Sequence, residues 1–146
     1  AIDREDPGLM LGYLGEDGQN KFRDEWFLTG DLGQMQTDGS VRYMGRYDDV
    51  MTAGGYRVSP IEVEVQLITH PKIQTVAVKD IDIRADTRVI AAFYTSENDI
   101  QEAELHAFAS QRLARYKQPR IYIRVDALPV GPNGKLLRRN LSLSKE

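Results

Sequence analysis

The residues best suited to chemistry stand near the end of the sequence, in LPVGPNGKLLRR from Leu128 to Arg139. Lys135 follows a glycine there, and two arginines follow it with no acid among them. Glycine before lysine suggests a phosphate loop. That loop requires a glycine five positions before Gly134 and a Ser or Thr after the lysine, because backbone amides wrap the phosphates and the hydroxyl reaches magnesium. Those positions hold Pro129 and Leu136, so the phosphate-loop reading fails. Pro132, Asn133 and Gly134 instead specify a turn that projects Lys135 outward. Four further stretches hold candidates: Asp31 in TGDL, Arg46 and Asp48 in GRYDD, Gly54, Gly55 and Tyr56 in GGYRV, and Arg115 and Lys117 in RYKQP. Taken singly they read as a turn aspartate, a hairpin-end arginine, a linker aspartate, a glycine turn and a solvated basic patch.

Composition narrows the field. The sequence has 146 residues, about one domain or a fragment of a large domain joined to a smaller one. With 41% hydrophobic and 28% charged residues it is ordinary for a globular chain, and no apolar run approaches the roughly 18 residues of a membrane span. A net charge of −3 disfavours general polyanion binding, although Arg112 to Arg139 is locally basic; a nucleic-acid binder would also want an array of stacking aromatics. Cysteine is absent, and His70 and His106 lie far apart in sequence, so neither a thiolate nor a histidine metal site is expected. The start, AIDREDPGLM, has neither a first methionine nor a signal pattern. A longer parent chain and a cytoplasmic setting are the resulting expectations.

The elements that must position these residues follow from periodicity and turn chemistry. Residues 1 to about 46 read as short strands with tight turns, including GYLG, EWFLTGDLGQM and SVRYMG, with a hairpin at Asp38-Gly39 and no long helix. Gly54-Gly55, between two short β-prone segments, reads as a second hairpin or a glycine-rich loop. SPIEVEVQLITHP is ambiguous: Ile61, Val63, Val65 and Leu67 alternate like a strand, while Ile61, Val65 and Ile68 fit one helical face. Ser59, Pro60 and Glu62 decide for a helix, as N-cap, first-turn proline and capping box, with His70-Pro71 as the stop. IQTVAVKDI and TRVIAAFYTS read as paired buried strands around a polar turn holding Asp82, Arg84 and Asp86. A helix opened by Asp99 and Glu102 then presents Leu105, Phe108, Ala109 and Leu113, and IYIRV adds a third strand. The order is that of an α+β domain from about Asp49 onward.

Taken in order and spacing, TGDL (29–32), GRYDD (45–49), GGYRVSPIEVE (54–64) and LPVGPNGKLLR (128–138), with PGLMLGYLG near the start, resemble the acyl-activating, adenylate-forming enzyme superfamily. Its members include AMP-forming acyl-CoA synthetases, luciferases and peptide-synthetase adenylation domains. The resemblance implies the end of a large-domain β-subdomain over 1–46, a hinge over 47–49 about Asp48, and a mobile C-terminal domain over 50–146, with a β-hairpin and then a three-stranded sheet with helices. It implies that Asp31 accepts from the ribose hydroxyls of ATP and that Arg46 contacts ribose or phosphates. Gly54, Gly55 and Tyr56 would line the pantetheine tunnel, and Arg115 and Lys117 would meet CoA phosphates. Lys135 would bind the substrate carboxylate and the α-phosphate during adenylation.

Many relatives carry Thr in place of Gly131 and Arg in place of Leu28, so auxiliary contacts there are not carried over. The implied phosphate loop, the glutamate associated with Mg2+ and the acyl pocket belong to a large N-terminal domain upstream of Ala1, so this chain alone is expected to be inactive. The implied function is activation of a carboxylic acid by ATP and transfer of the acyl group to CoA. The expected partners are the chain's own N-terminal domain, the small acid, ATP and CoA, with a homodimer left open. A carrier-protein-loading adenylation domain and a non-catalytic interaction module of the same fold are the alternatives.

Overall fold

The computed structural model describes residues 1–11, 21–84 and 87–143; GYLG and Asp86 lie outside them. The chain divides into two compact units, Ala1–Asp48 and Asp49–Glu146.

In the first unit, β1 (Ile2–Asp3), β2 (Phe22–Arg23) and β3 (Trp26–Phe27) form an antiparallel sheet in the order β1-β3-β2. Phe27 is buried and meets Phe22 edge-on at 5.3 Å. β4 (Asp31–Met35) and β5 (Val41–Arg46) form the hairpin expected from Asp38-Gly39. Gly39 has φ 83°, a left-handed conformation that glycine adopts without a Cβ penalty. The Ser40 hydroxyl and amide donate to Asp38 Oδ1 at 2.7 and 2.9 Å. Those two bonds, the hydroxyl's first, hold the Asp38 carboxyl below its ordinary range.

The second unit begins with a hairpin of β6 (Met51–Ala53) and β7 (Tyr56–Val58), turning on Gly54 and Gly55 at φ 57° and 82°. Two consecutive positive φ values are the demand of a tight two-residue hairpin turn, so the paired glycines are required by the backbone itself. Helix α1 (Pro60–Leu67) follows, with Ser59 Oγ accepting from the Glu62 amide at 3.4 Å and proline in the first turn. The buried stripe is Pro60, Val63 and Leu67, not Ile61, Val65 and Ile68; Val65 and Ile68 are exposed. Both stripes are apolar at helical spacing, and only the position of the sheet beneath the helix selects between them.

β8 (Thr75–Arg84) and β9 (Thr87–Thr95) pair antiparallel, and β10 (Ile121–Arg124) joins β9 in parallel, giving the order β10-β9-β8. Asp82 and Arg84 belong to β8 rather than to a turn. The Asp82 carboxylate takes Arg88 Nε across the ladder at 2.9 Å, which extends the hairpin as a polar ribbon. Helix α2 (Glu102–Ser110) is capped at Gln101 without a side-chain bond, so Asp99 is not its cap. Ile100 is instead buried with Ile73, Tyr94 and Leu105, and this anchor delays the first helical turn. Leu105 and Ala109 face the core from α2, and Leu113 reaches it from beyond the helix end.

The sheet is buried on both faces, which is why VIAAFY in β9 is apolar without alternation. On one side Val78, Ile90 and Ala92 pack with Met51, Val58, Val63, Leu67 and Ala109, joining the hairpin and both helices in one cluster. On the other, Ala77, Ile81, Ala91 and Phe93 are covered by the C-terminal segment through Leu128, Leu136 and Leu141. No helix among the described residues is long and apolar enough to cross a membrane.

Candidate functional site

In the first unit, Asp31 and Arg46 are cross-strand partners at the open end of the β4–β5 hairpin. Arg46 Nη1 donates to Asp31 Oδ1 at 3.0 Å and to the Thr29 carbonyl at 2.7 Å, and the two side chains are about half exposed, 41% and 48%. Oδ2 of Asp31 has no hydrogen-bond partner among the described residues, so the carboxylate keeps acceptor capacity. Gly30 underlies the pair: its φ is 77°, and a Cβ there would come within 2.7 Å of Arg46 Nη2. Glycine thus serves both the turn and the seat of the guanidinium. Its place in TGDL is visible in the sequence, but its contact with Arg46 is not.

In the second unit, the glycine hairpin and the RYKQP segment come together. Tyr56 stacks on Tyr116 with ring centroids 4.5 Å apart. Tyr116 belongs to a 3-10 turn (Arg115–Lys117) that follows α2. Beside it lies a pocket of about 340 Å³, lined by Ala53, Gly54, Arg88, Arg115, Tyr116 and Arg120 among others. Within it Arg115 and Arg120 carry side chains with no partner among the described residues, whereas Arg88 is taken by Asp80 and Asp82. Lys117 is also occupied. Its ammonium is bound to the Glu62 carboxylate of α1, which raises its pKa above the usual lysine value.

Lys135 sits on a braced turn. Gly131 N donates to Lys135 O at 2.8 Å, Leu137 N to Pro129 O at 2.8 Å, and Val130 bridges Leu136. Gly134 takes φ 73°, and Asn133 Oδ1 accepts the Lys135 amide at 3.3 Å. Leu136 packs on the sheet while the Lys135 ammonium has no partner among the described residues. Asp48 is exposed in a short 3-10 turn (Tyr47–Asp49) at the division between the units.

A buried network escaped the sequence reading. Arg138, 12% exposed, donates through Nη1 to Glu64 Oε1 and to the Val78 carbonyl, and through Nη2 to Glu64 Oε2 at 3.3 Å. Its Nε lies 3.5 Å from Asp49 Oδ2. Glu64 Oε1 also accepts the Val78 amide at 2.7 Å. Lys79 Nζ holds the carbonyls of Arg139 and Leu141, each at 3.0 Å. The only sequence signal was that Glu64 and Arg138 end two of the four motifs. His70 is structural as well: it is buried against Phe108, and Nδ1 accepts the Lys72 amide at 3.2 Å. Burial pulls its imidazole below the ordinary value, with Glu104 opposing. Among the described residues no three His, Asp or Glu gather as a metal-binding group.

These two arrangements, one acid–arginine pair and one sheet domain presenting a lysine with no partner among the described residues, can be compared with known proteins. The description of the AMP-binding enzyme C-terminal domain matches residues 62–135, just over half the chain. The chain belongs to this family. The AMP-binding C-terminal match covers α1 from Glu62 onward, the whole three-stranded sheet and the turn up to Lys135. Over 137 residues the chain is 37% identical to 2-succinylbenzoate–CoA ligase of Bacillus licheniformis, covering 92% of this chain and 29% of that enzyme. It is 34% identical to a dimodular nonribosomal peptide synthase of Bacillus subtilis, covering 92% of this chain and 6% of that protein. The structure of o-succinylbenzoate CoA synthetase from Bacillus subtilis, solved with an acyl-adenylate intermediate, superimposes with a TM-score of 0.86 at 29% identity, covering 96% of this chain and 29% of that one. The chain therefore spans less than a third of the length of the CoA ligase it matches.

Proposed function

We propose that this AMP-binding C-terminal region works within an AMP-forming acyl-CoA synthetase. In the first half-reaction a carboxylate oxygen attacks the α-phosphorus of MgATP and pyrophosphate leaves, giving an acyl-adenylate. In the second, the CoA thiol attacks the acyl carbon, its proton is lost, and AMP departs. The observation that carries the reading is the ammonium of Lys135, without a partner among the described residues, on a turn braced against the sheet. Such a cation offsets the repulsion between carboxylate and phosphate and stabilises charge as phosphorus is attacked.

In this reading Asp31 accepts from the ATP ribose hydroxyls with Arg46 beside it. Asp48 is the hinge between a large domain ending near residue 46 and a mobile domain from residue 50. Gly54, Gly55 and Tyr56 border the pantetheine path, and Arg115 supplies a cation to the CoA phosphates. We assign Lys117 a bracing role through Glu62, because its charge is already paired. Magnesium enters with ATP, and we place its protein ligand in the larger remainder that the CoA ligases possess. The acid is of the carboxylic class named by those ligases.

The test is single-turnover kinetics on the full-length enzyme. Lys135→Ala slows acyl-adenylate formation by about 10²–10³-fold, the range seen when one charge-stabilising donor is removed. Thioester formation from supplied acyl-adenylate stays largely intact. Equal loss of both half-reactions would sink the division of labour. Acyl transfer to a carrier protein in place of CoA would overturn the assigned acceptor.

A further inference from the structure

The Lys135 ammonium has no partner among the described residues, so its position is inherited from the backbone that carries it. Three residues on, the same segment is fixed by Arg138, whose guanidinium reaches Glu64 of α1, the Val78 carbonyl of β8 and the carboxylate of Asp49. Glu64 in turn holds the Val78 amide, so one ion pair joins four separate parts of the unit. Both side chains are mostly buried, at 12% and 16% exposure. A buried ion pair is a poor source of stability, since well-packed apolar residues of similar volume often serve as well or better. What a bidentate pair adds is geometry: two parallel bonds fix both the distance and the angle of the guanidinium plane.

We infer that Arg138 is a positioning residue for Lys135, and that the Arg138–Glu64 pair sets where the ammonium is presented. The inference rests on the assignment of Lys135 to adenylation. The route is short and covalent. Arg138 anchors the chain on β8, Leu137 donates back to Pro129 at 2.8 Å, and Leu136 seats the turn on the sheet. Without the pair, the turn keeps its internal bonds but loses its fixed attachment to α1.

The experiment is a double-mutant cycle in the full-length enzyme, with each half-reaction followed separately. Arg138→Met keeps an unbranched apolar stem and slows adenylation by about 10–100-fold, the scale of a misplacement near 1 Å. Thioester formation from supplied acyl-adenylate changes by less than about threefold, because an interaction used in one transition state is lost only there. In a Lys135→Ala background, Arg138→Met has no further effect on adenylation, as expected for residues acting as one unit. Glu64→Gln, which preserves shape, reproduces the adenylation defect and covers the case in which Arg138→Met does not fold. Arg138→Lys restores charge without the bidentate geometry and recovers only part of the rate.

A full Arg138→Met penalty persisting in the Lys135→Ala background would overturn the inference, as would equal loss of both half-reactions in Glu64→Gln. If Lys135→Ala itself leaves adenylation unchanged, the assignment of Lys135 fails and the inference falls with it. If Lys135→Ala is defective while Glu64→Gln and Arg138→Met are not, only the positioning role fails.

Discussion

Alanine in place of Gly55 tests the glycine turn through a single energy term. Gly54 and Gly55 stand at φ 57° and 82°, and a Cβ built on either meets no heavy atom within 4 Å. Alanine therefore brings no clash. Its cost is that of a left-handed backbone for an L-residue, roughly 1–2 kcal/mol. Restriction of the unfolded chain returns about 0.4–1 kcal/mol of this, leaving a net destabilisation on the order of 1 kcal/mol. For a unit the size of Asp49–Glu146, that corresponds to a fall in Tm of about 4–8 °C. Asparagine, which tolerates this conformation, should cost less than alanine, and β-branched valine more. Thermal unfolding followed by far-UV circular dichroism measures the series. In the full-length enzyme, Gly55→Ala should slow thioester formation more than adenylation, because the turn borders the path assigned to pantetheine. The same change at Gly30 is a contrasting control: φ is again positive, but the Cβ falls 2.7 Å from Arg46 Nη2 and must also displace the guanidinium. An alanine at 55 as stable as glycine, or an asparagine less stable than alanine, would refute the reasoning.

Two further outcomes follow from the charged residues. Arg115→Ala should raise the KM for CoA about tenfold or more, the value of a hydrogen bond to a charged group. Lys117→Met should leave that KM within about twofold and cost less than about 1 kcal/mol of stability, since the Glu62 partner is 42% exposed and screened; steady-state kinetics with varied CoA separates the two. His70 predicts a pH dependence. Burial holds its folded-state pKa below the ordinary 6.5, so above that pH the imidazole is neutral both folded and unfolded and stability is complete. As pH falls below 6.5 the unfolded chain binds a proton that the folded one resists, and stability is lost toward the lower folded-state value. His70→Asn, whose amide oxygen can still accept from Lys72, should lower stability overall and flatten this slope in denaturant titrations between pH 7 and pH 5, approximate limits set by the His range.

What the sequence alone determined is local. Asp38-Gly39 and Gly54-Gly55 made hairpins because positive φ is a property of one or two residues. Ser59-Pro60-Glu62 chose helix over strand because capping needs only the next three amides. The order of strands and helices, and the motifs that placed the chain in its family, could be read for the same reason. The tertiary structure alone decided which stripe of α1 is buried, that Asp99 does not cap α2, and that Asp82 lies within a strand. It also decided which charges remain available. Lys117 is spent on Glu62, 55 residues away, and Arg138 closes on Glu64 across 74 residues. Two apolar stripes, or two lysines in basic stretches, are equivalent to every short-range term. They become different only once the sheet register and helix rotation are set by core packing, which pairs Lys117 with Glu62 and Arg138 with Glu64 and leaves Lys135 without a partner among the described residues.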